Sequence, residues 1–469
     1  MAVLVKSSVR RTLVGMAWPM LAGTFAMNAY HLTDTWFVSL MGTRPLAAMG
    51  FTFPVVMLLT CVAGGIGTGI TTLVSHAIGR HDHDDAARLV TRGLTMTLAV
   101  AAALSLAGYL SIGPVFRRLG ADAPTLALVR EYMGTWYAGA IFMALPMTGN
   151  GILISSGDSR AASRFMILGT ALNAVLDPIM IFGYLGCPAM GMRGAALATV
   201  VAQAVSTMWL FHLLYAKHRL LAFGDRRLGE WLATFRRILG FAVPSIMSMI
   251  LMPVSATVIT RLLSGFGNEA VAAAGAAGRI EMFAFVIPMA LGISLTPFVS
   301  QNHGAGRPDR IREARGLSTR FALLYGGAMA VVFIAGAPWL AAAFTDDPKV
   351  AGILIAHIRI ISLGYGMMEV HRYSGFFLTG LHRPASAMLL NAIRVVAVLI
   401  PLSYLGAYLG GVRGVFAGRL ATDLLVGSLG LAWVSRTLGS LPEAGAAGQP
   451  GPPAVAVPPE QIVGNPLAE

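Results

Sequence analysis

The chain has 469 residues, 56% hydrophobic and only 12% charged, with a net charge of +13. A soluble domain carries about a quarter charged residues, so lipid is the expected solvent, and the positive charge is a matter of membrane orientation rather than nucleic-acid binding. Two distant cysteines, Cys61 and Cys187, give no support for a disulfide framework or a metal site.

Apolar segments able to cross a bilayer, which takes about 20 residues each, fall at roughly 12–41, 47–77, 89–112, 124–154, 160–184 and 191–216. After a polar link, six more follow at roughly 233–264, 269–300, 314–343, 350–380, 384–409 and 411–438. The expected fold class is an all-α membrane protein of twelve transmembrane helices in two six-helix lobes. Residues 1–216 form the first lobe, 217–232 a cytoplasmic linker with Lys217, Arg219, Arg226 and Arg227, and 233–438 the second lobe. Residues 439–469, rich in Pro, Gly and Ala without a helical period, read as a disordered cytoplasmic tail. Lys and Arg number about 21 at the termini and even-numbered loops, against about six in the odd-numbered loops. Both termini are therefore expected on the cytoplasmic side. No small-residue cleavage site precedes the first span.

The two halves repeat. At a shift of 225, Pro19 meets Pro244, Gly42 meets Gly267, Ser75 meets Ser300 and Gly79 meets Gly304. Leu172-Asn173-Ala174 later echoes Leu390-Asn391-Ala392, and Gly191-x-Arg-Gly194 echoes Gly411-x-Arg-Gly414. Six spans per repeat is an even number, so the lobes should be related by a pseudo-twofold axis along the membrane normal. Transporters of this build carry substrate between lobes that rock against each other. Matching prolines, each removing a backbone hydrogen bond, mark bending points, Pro19 foremost.

Ionisable groups inside spans are expensive and need a reason. Asp34 on span one and Asp177 on span five each precede the outer end by about seven residues, or roughly 10 Å at the helical rise. Tyr132 and Thr199, on spans four and six, lie at a similar depth. Asn173 sits one turn from Asp177 on the same face. Two carboxylates sharing a low-dielectric pocket titrate as a pair, and such oxygens suit H⁺ or Na⁺. Glu131 adjoins Arg130 as a local surface pair. In the second half, Glu369 with Arg372 and Arg419 with Asp423 have the spacing of within-helix pairs. Glu281 lies near mid-membrane, and the surplus arginines could neutralise acids, anchor helix ends or face an anionic substrate. Trp136, Tyr137, Tyr30, Phe37 and 25 methionines could line a permissive cleft, although most will be packing residues. His81-Asp82-His83-Asp84-Asp85 reads as a solvated turn. No nucleotide-binding loop, metal-spaced His/Cys set or nucleophile elbow is present, so an enzyme or ATP-driven pump is disfavoured and an ion gradient is the expected energy source.

These residues resemble the multidrug and toxic compound extrusion (MATE) family, in particular its DinF-like prokaryotic branch. The resemblance rests on Pro19, Asp34-Thr35 and Gly42, on Val74-Ser75-x-x-Ile78-Gly79, on Leu172-Asn173-x-x-x-Asp177-Pro178, on Gly194-Ala195-Ala196-x-Ala198-Thr199 and on Val299-Ser300-Gln301-Asn302-x-Gly304. It covers residues 10–438 and implies an efflux antiporter expelling cationic or amphipathic drug-like molecules in exchange for H⁺ or Na⁺. It further implies the inner membrane of a prokaryote, no other cofactor, no nucleic-acid partner and a monomer in the bilayer. Asp34, Asn173, Asp177 and Thr199 look like the family's cation site, the place where Na⁺ would bind, with Tyr30, Tyr132 and Asn150 around it and Pro19 as hinge. Ile259 stands where the repeat would put a partner to Asp34, leaving Glu281 as the remaining second-lobe acid of interest. A lipid-linked precursor flippase of the same superfamily and a membrane receptor or membrane-embedded enzyme are the alternatives.

Overall fold

The computed structural model describes residues 3–222 and 228–442, which form helices and no strand. Parts of the expected linker (223–227) and tail (443–469) lie outside the described residues. The first half contains α1 (Val9–Ser39), α2 (Thr43–Gly79), α3 (His83–Arg118), α4 (Ala123–Ala138), α5 (Ala140–Ser155), α6 (Ser159–Phe182) and α7 (Gly191–His212). The second contains α8 (Leu228–Ser264), α9 (Asn268–Ala284), α10 (Val286–Gly304), α11 (Pro308–Ala342), α12 (Pro348–Ile361), α13 (Tyr365–Gly380), α14 (Pro384–Ala392) and α15 (Ile400–Gly439).

The fifteen α-helices among the described residues make twelve spans because several crossings are broken. α4 and α5 meet at 54° and α9 and α10 at 59°. α12 and α13 are joined by a short 3₁₀ turn, Ser362–Gly364. The α14–α15 run, Pro384–Gly439, is 56 residues long, about 84 Å at the helical rise and far more than one bilayer. It is a hairpin: Gly410 and Gly411 leave helical geometry, and a Cβ on Gly406 would lie 2.0 Å from the Gly414 carbonyl oxygen on the returning arm. α1 alone falls outside the helices apolar enough to cross by composition, and it is the helix that carries Asn28, Tyr30 and Asp34.

Local chemistry accounts for the breaks and starts. Pro288 has no N–H, so the Ala284 carbonyl loses its helical donor where α9 ends; Tyr325 Oη donates to that carbonyl instead, at 2.7 Å. Asp82, Asp122, Asp158 and Asp347 cap α3, α4, α6 and α12, each accepting a backbone N–H from the first turn. The His81–Asp85 tract is thus a cap, and its Asp85 also pairs with Arg80 at 3.1 Å and with Arg237 of α8 at 3.4 Å. Gly42 and Gly267, at matching places, enter α2 and α9 at φ +112° and +105°, a conformation that a side chain would strain.

The repeat is visible as exchanged contacts. α1 packs on α10, and its counterpart α8 packs on α2. At the ends of α2 and α10, a Cβ on Gly79 would lie 2.1 Å from the Gln301 carbonyl oxygen, and one on Gly304 would lie 2.3 Å from that of His76. Both members of the second contact are the first shifted by 225 residues, in exchanged order, so a pseudo-twofold axis passes between them. Gly at both positions lets the lobes touch backbone to backbone.

Candidate functional site

In the first half, α6 lies against both α1 and α7, which brings three helices' oxygens together. Asn173 Nδ2 donates to Asp177 Oδ1 at 3.1 Å and to Thr199 Oγ1 at 3.2 Å. Tyr30 Oη lies 3.2 Å from the same Thr199 hydroxyl. Asp34 and Asp177 are within electrostatic reach of each other, and Tyr132 of α4 is within reach of both and of Tyr30. Asp34 is 5% exposed, Asn173 and Thr199 1% and Asp177 0%. Despite that burial, Asp34 Oδ1, Asn173 Oδ1 and Asp177 Oδ2 have no hydrogen-bond partner among the described residues. Unpaired buried acceptors are expensive, and two buried carboxylates repel. A proton or a hard cation such as Na⁺ would satisfy both demands with the oxygens present. Among the described residues no group of three or more His, Cys, Asp or Glu could hold a metal, so any cation here would rest on mixed carboxylate, amide and hydroxyl donors.

Other expected participants lie elsewhere. Asn150 of α5 donates to Met166 Sδ at 3.5 Å, which is seven residues, or about 10 Å, along α6 from Asn173. Pro19 sits within α1, which remains one continuous helix through it. Glu131 and Arg130 are both exposed and form no ion pair among the described residues, contrary to the pairing that their adjacency suggests.

The second half is wired differently. Glu281 of α9 accepts from Arg419 of α15 at 2.7 Å, and its other oxygen lies 3.2 Å from His357 Nε2 of α12. Asp423 accepts from Arg394 at 2.9 Å. The expected within-helix Arg419–Asp423 pair is therefore wrong: each member takes a partner on another segment. Glu369 does lie 3.2 Å from Arg372, as its spacing suggests. Asn391, the counterpart of Asn173, lies 3.0 Å from His371 Nε2 and donates to Ser248 Oγ at 2.6 Å. His357 and His371 escaped sequence reasoning because a neutral histidine in an apolar run carries no charge signal.

Where α2 meets α10, three imidazoles gather. His76 and His382 ring centroids are 4.2 Å apart, His76 and His303 5.4 Å, and His303 and His382 5.6 Å. Ser300 Oγ donates to the Thr72 carbonyl at 2.7 Å, and Gln301 Nε2 donates to the Ser155 carbonyl at 2.6 Å. His382 lies in the loop between α13 and α14. Burial first, then His76, His303, Arg237 and Arg80, push its imidazole down to about 2, so it stays neutral in a closed seam.

Comparison with known proteins agrees with this architecture. The family model described as MatE matches residues 19–179 and 244–405, one segment in each half. The chain is 34% identical over 424 residues, 90% of its length and 94% of the relative's, to the FAD transporter of Shewanella oneidensis. It is 23% identical to the multidrug export protein MepA of Staphylococcus aureus, covering 90% of this chain and 92% of that one. The Vibrio cholerae MATE transporter VcmN in its bent form superposes with a TM-score of 0.87 at 28% identity, over 92% of this chain and 97% of that one.

Proposed function

This chain belongs to the MatE family of multi-pass membrane transporters, and from that premise we propose that it is a secondary exporter driven by H⁺ or Na⁺ entering at Asp34 and Asp177. The observation that carries this reading is the set of three buried oxygens without hydrogen-bond partners among the described residues, on Asp34, Asn173 and Asp177, held at one place by α1, α6 and α7. A cation there neutralises the pair and pulls α1 against α6; its loss lets the carboxylates repel and α1 move. Pro19, 15 residues before Asp34 on α1, is where that motion would bend the helix. The α2–α10 seam closes the cytoplasmic end while substrate leaves on the other side. In this reading the lobes are 1–216 and 233–438, both termini are cytoplasmic, and the chain acts as a monomer.

The coupling scheme leaves two substrate classes. Cationic or amphipathic organic compounds follow from the resemblance to multidrug exporters. An anionic flavin dinucleotide is favoured by a different observation: the relative called an FAD transporter is 34% identical, whereas the multidrug relatives are 22–24% identical. Arg261 and Arg279 on α8 and α9 are exposed and form no ion pair among the described residues, as an anion would need. The test is flux from proteoliposomes loaded with FAD or with ethidium, with pH and Na⁺ gradients imposed separately. Export that follows one gradient supports the proposal, and the substrate moved decides the class. Export indifferent to both gradients overturns the coupling.

A further inference from the structure

Leu429, Trp433 and Arg436 on α15 and Ser440 at its C-cap are spaced 4, 3 and 4 residues apart, which puts them in one stripe along a helix face. The stripe changes character along its length, from apolar side chains within the span to an arginine and a hydroxyl at its end. Across from it stands Arg383, in the loop before α14, and together with Thr437 these residues line an open pocket of about 340 Å³.

Arg383 and Arg436 are both exposed. Among the described residues neither guanidinium donates a hydrogen bond or meets a carboxylate. Their neighbours are spent otherwise. Arg312 donates to the Leu438 and Leu441 carbonyls at 3.2 and 3.5 Å, and Arg315 donates to the Ser435 hydroxyl. Arg312 and Arg315 hold the end of α15 in place, and Arg383 and Arg436 are left exposed in a pocket that Trp433 also lines. Trp favours the depth at which headgroups begin, and basic pockets between helices on the cytoplasmic side attract anionic headgroups.

We propose that this pocket holds an anionic phospholipid of the inner leaflet, with the phosphate between Arg383 and Arg436 and an acyl chain along Trp433 and Leu429. The inference uses the orientation proposed above, but its readout is lipid retention, which is independent of whether Asp34 and Asp177 couple transport.

The test is native mass spectrometry of the full-length chain in detergent, titrated with phosphatidylglycerol, phosphatidylcholine and free glycerol phosphate. Wild type should retain phosphatidylglycerol in preference to the other two. R383Q/R436Q should weaken that retention roughly thirtyfold, the change expected from two arginines near a headgroup, with phosphatidylcholine unaffected. R383K/R436K, which keeps the charge, should bind phosphatidylglycerol within a few-fold of wild type. Unchanged phosphatidylglycerol retention in R383Q/R436Q would overturn the proposal. So would glycerol phosphate binding as tightly as the lipid, since the site would then belong to a free phosphate.

Discussion

The two lobes share a backbone plan and differ in where their charges are spent. In the first, Asp34 and Asp177 are buried together and form no ion pair among the described residues. In the second, Glu281, Asp423 and Glu369 each sit against an arginine. Registering the halves on Asn173/Asn391 and Gly191/Gly411 puts Val395 opposite Asp177 and Arg419 opposite Thr199. Where the first lobe keeps a hydroxyl beside unsatisfied carboxylates, the second supplies a guanidinium bonded to Glu281. The second lobe thus carries its cation covalently, and a fold-level symmetry does not imply two exchangeable ion sites.

The comparison breaks most sharply on the acids. Asp34→Asn or Asp177→Asn should reduce ion-driven export to the rate of protein-free vesicles while expression is retained. Next in size, Arg419→Met strands the Glu281 carboxylate and should destabilise the protein by about 3–5 kcal/mol, whereas Glu281→Gln with Arg419→Met should recover much of that loss. Thermal unfolding in detergent reads both. Gly304→Ala, whose methyl would meet the His76 carbonyl at 2.3 Å, should cost about 1–3 kcal/mol and widen the seam, measurable as a longer spin-label distance between the ends of α2 and α10.

The smallest effect concerns pH. His382 is pushed down to about 2 in the folded chain, against about 6.5 for an ordinary imidazole. Between those values the unfolded chain binds the additional proton, so stability rises with pH across that window and falls on acidification. The groups facing His382 are His76 of α2, His303 of α10, and Arg80 and Arg237, with Phe241 of α8 at its ring. His382→Gln should flatten the acid limb of a melting-temperature profile between about pH 6.5 and pH 5; an unchanged slope would assign the acid sensitivity elsewhere.

Periodicity and loop charge made the twelve spans legible, since each broken crossing still reads as one apolar run. Depth counting along helices brings Asp34, Asp177, Thr199 and Tyr132 to one level, because rise per residue converts sequence distance to height. The same rule misplaced Arg419: spacing of four offers Asp423 on its own helix, but it cannot reveal Glu281, 138 residues away. The break between α9 and α10 did have a signal in Pro288, whose missing N–H frees the Ala284 carbonyl. Its stabilising partner Tyr325 was beyond reach, because nothing local marks a cross-helix donor. The histidine seam likewise depends on three chain segments meeting, which single-helix patterns do not encode.

The most direct test compares Asp34→Asn/Asp177→Asn with Glu281→Gln/Arg419→Met in proteoliposomes, measuring cation influx together with substrate efflux under one imposed gradient. The account predicts that the first pair abolishes cation influx and that the second preserves a coupled exchange in every folded molecule. Coupled influx surviving loss of both first-lobe acids, or vanishing only with the second-lobe pair, would contradict it.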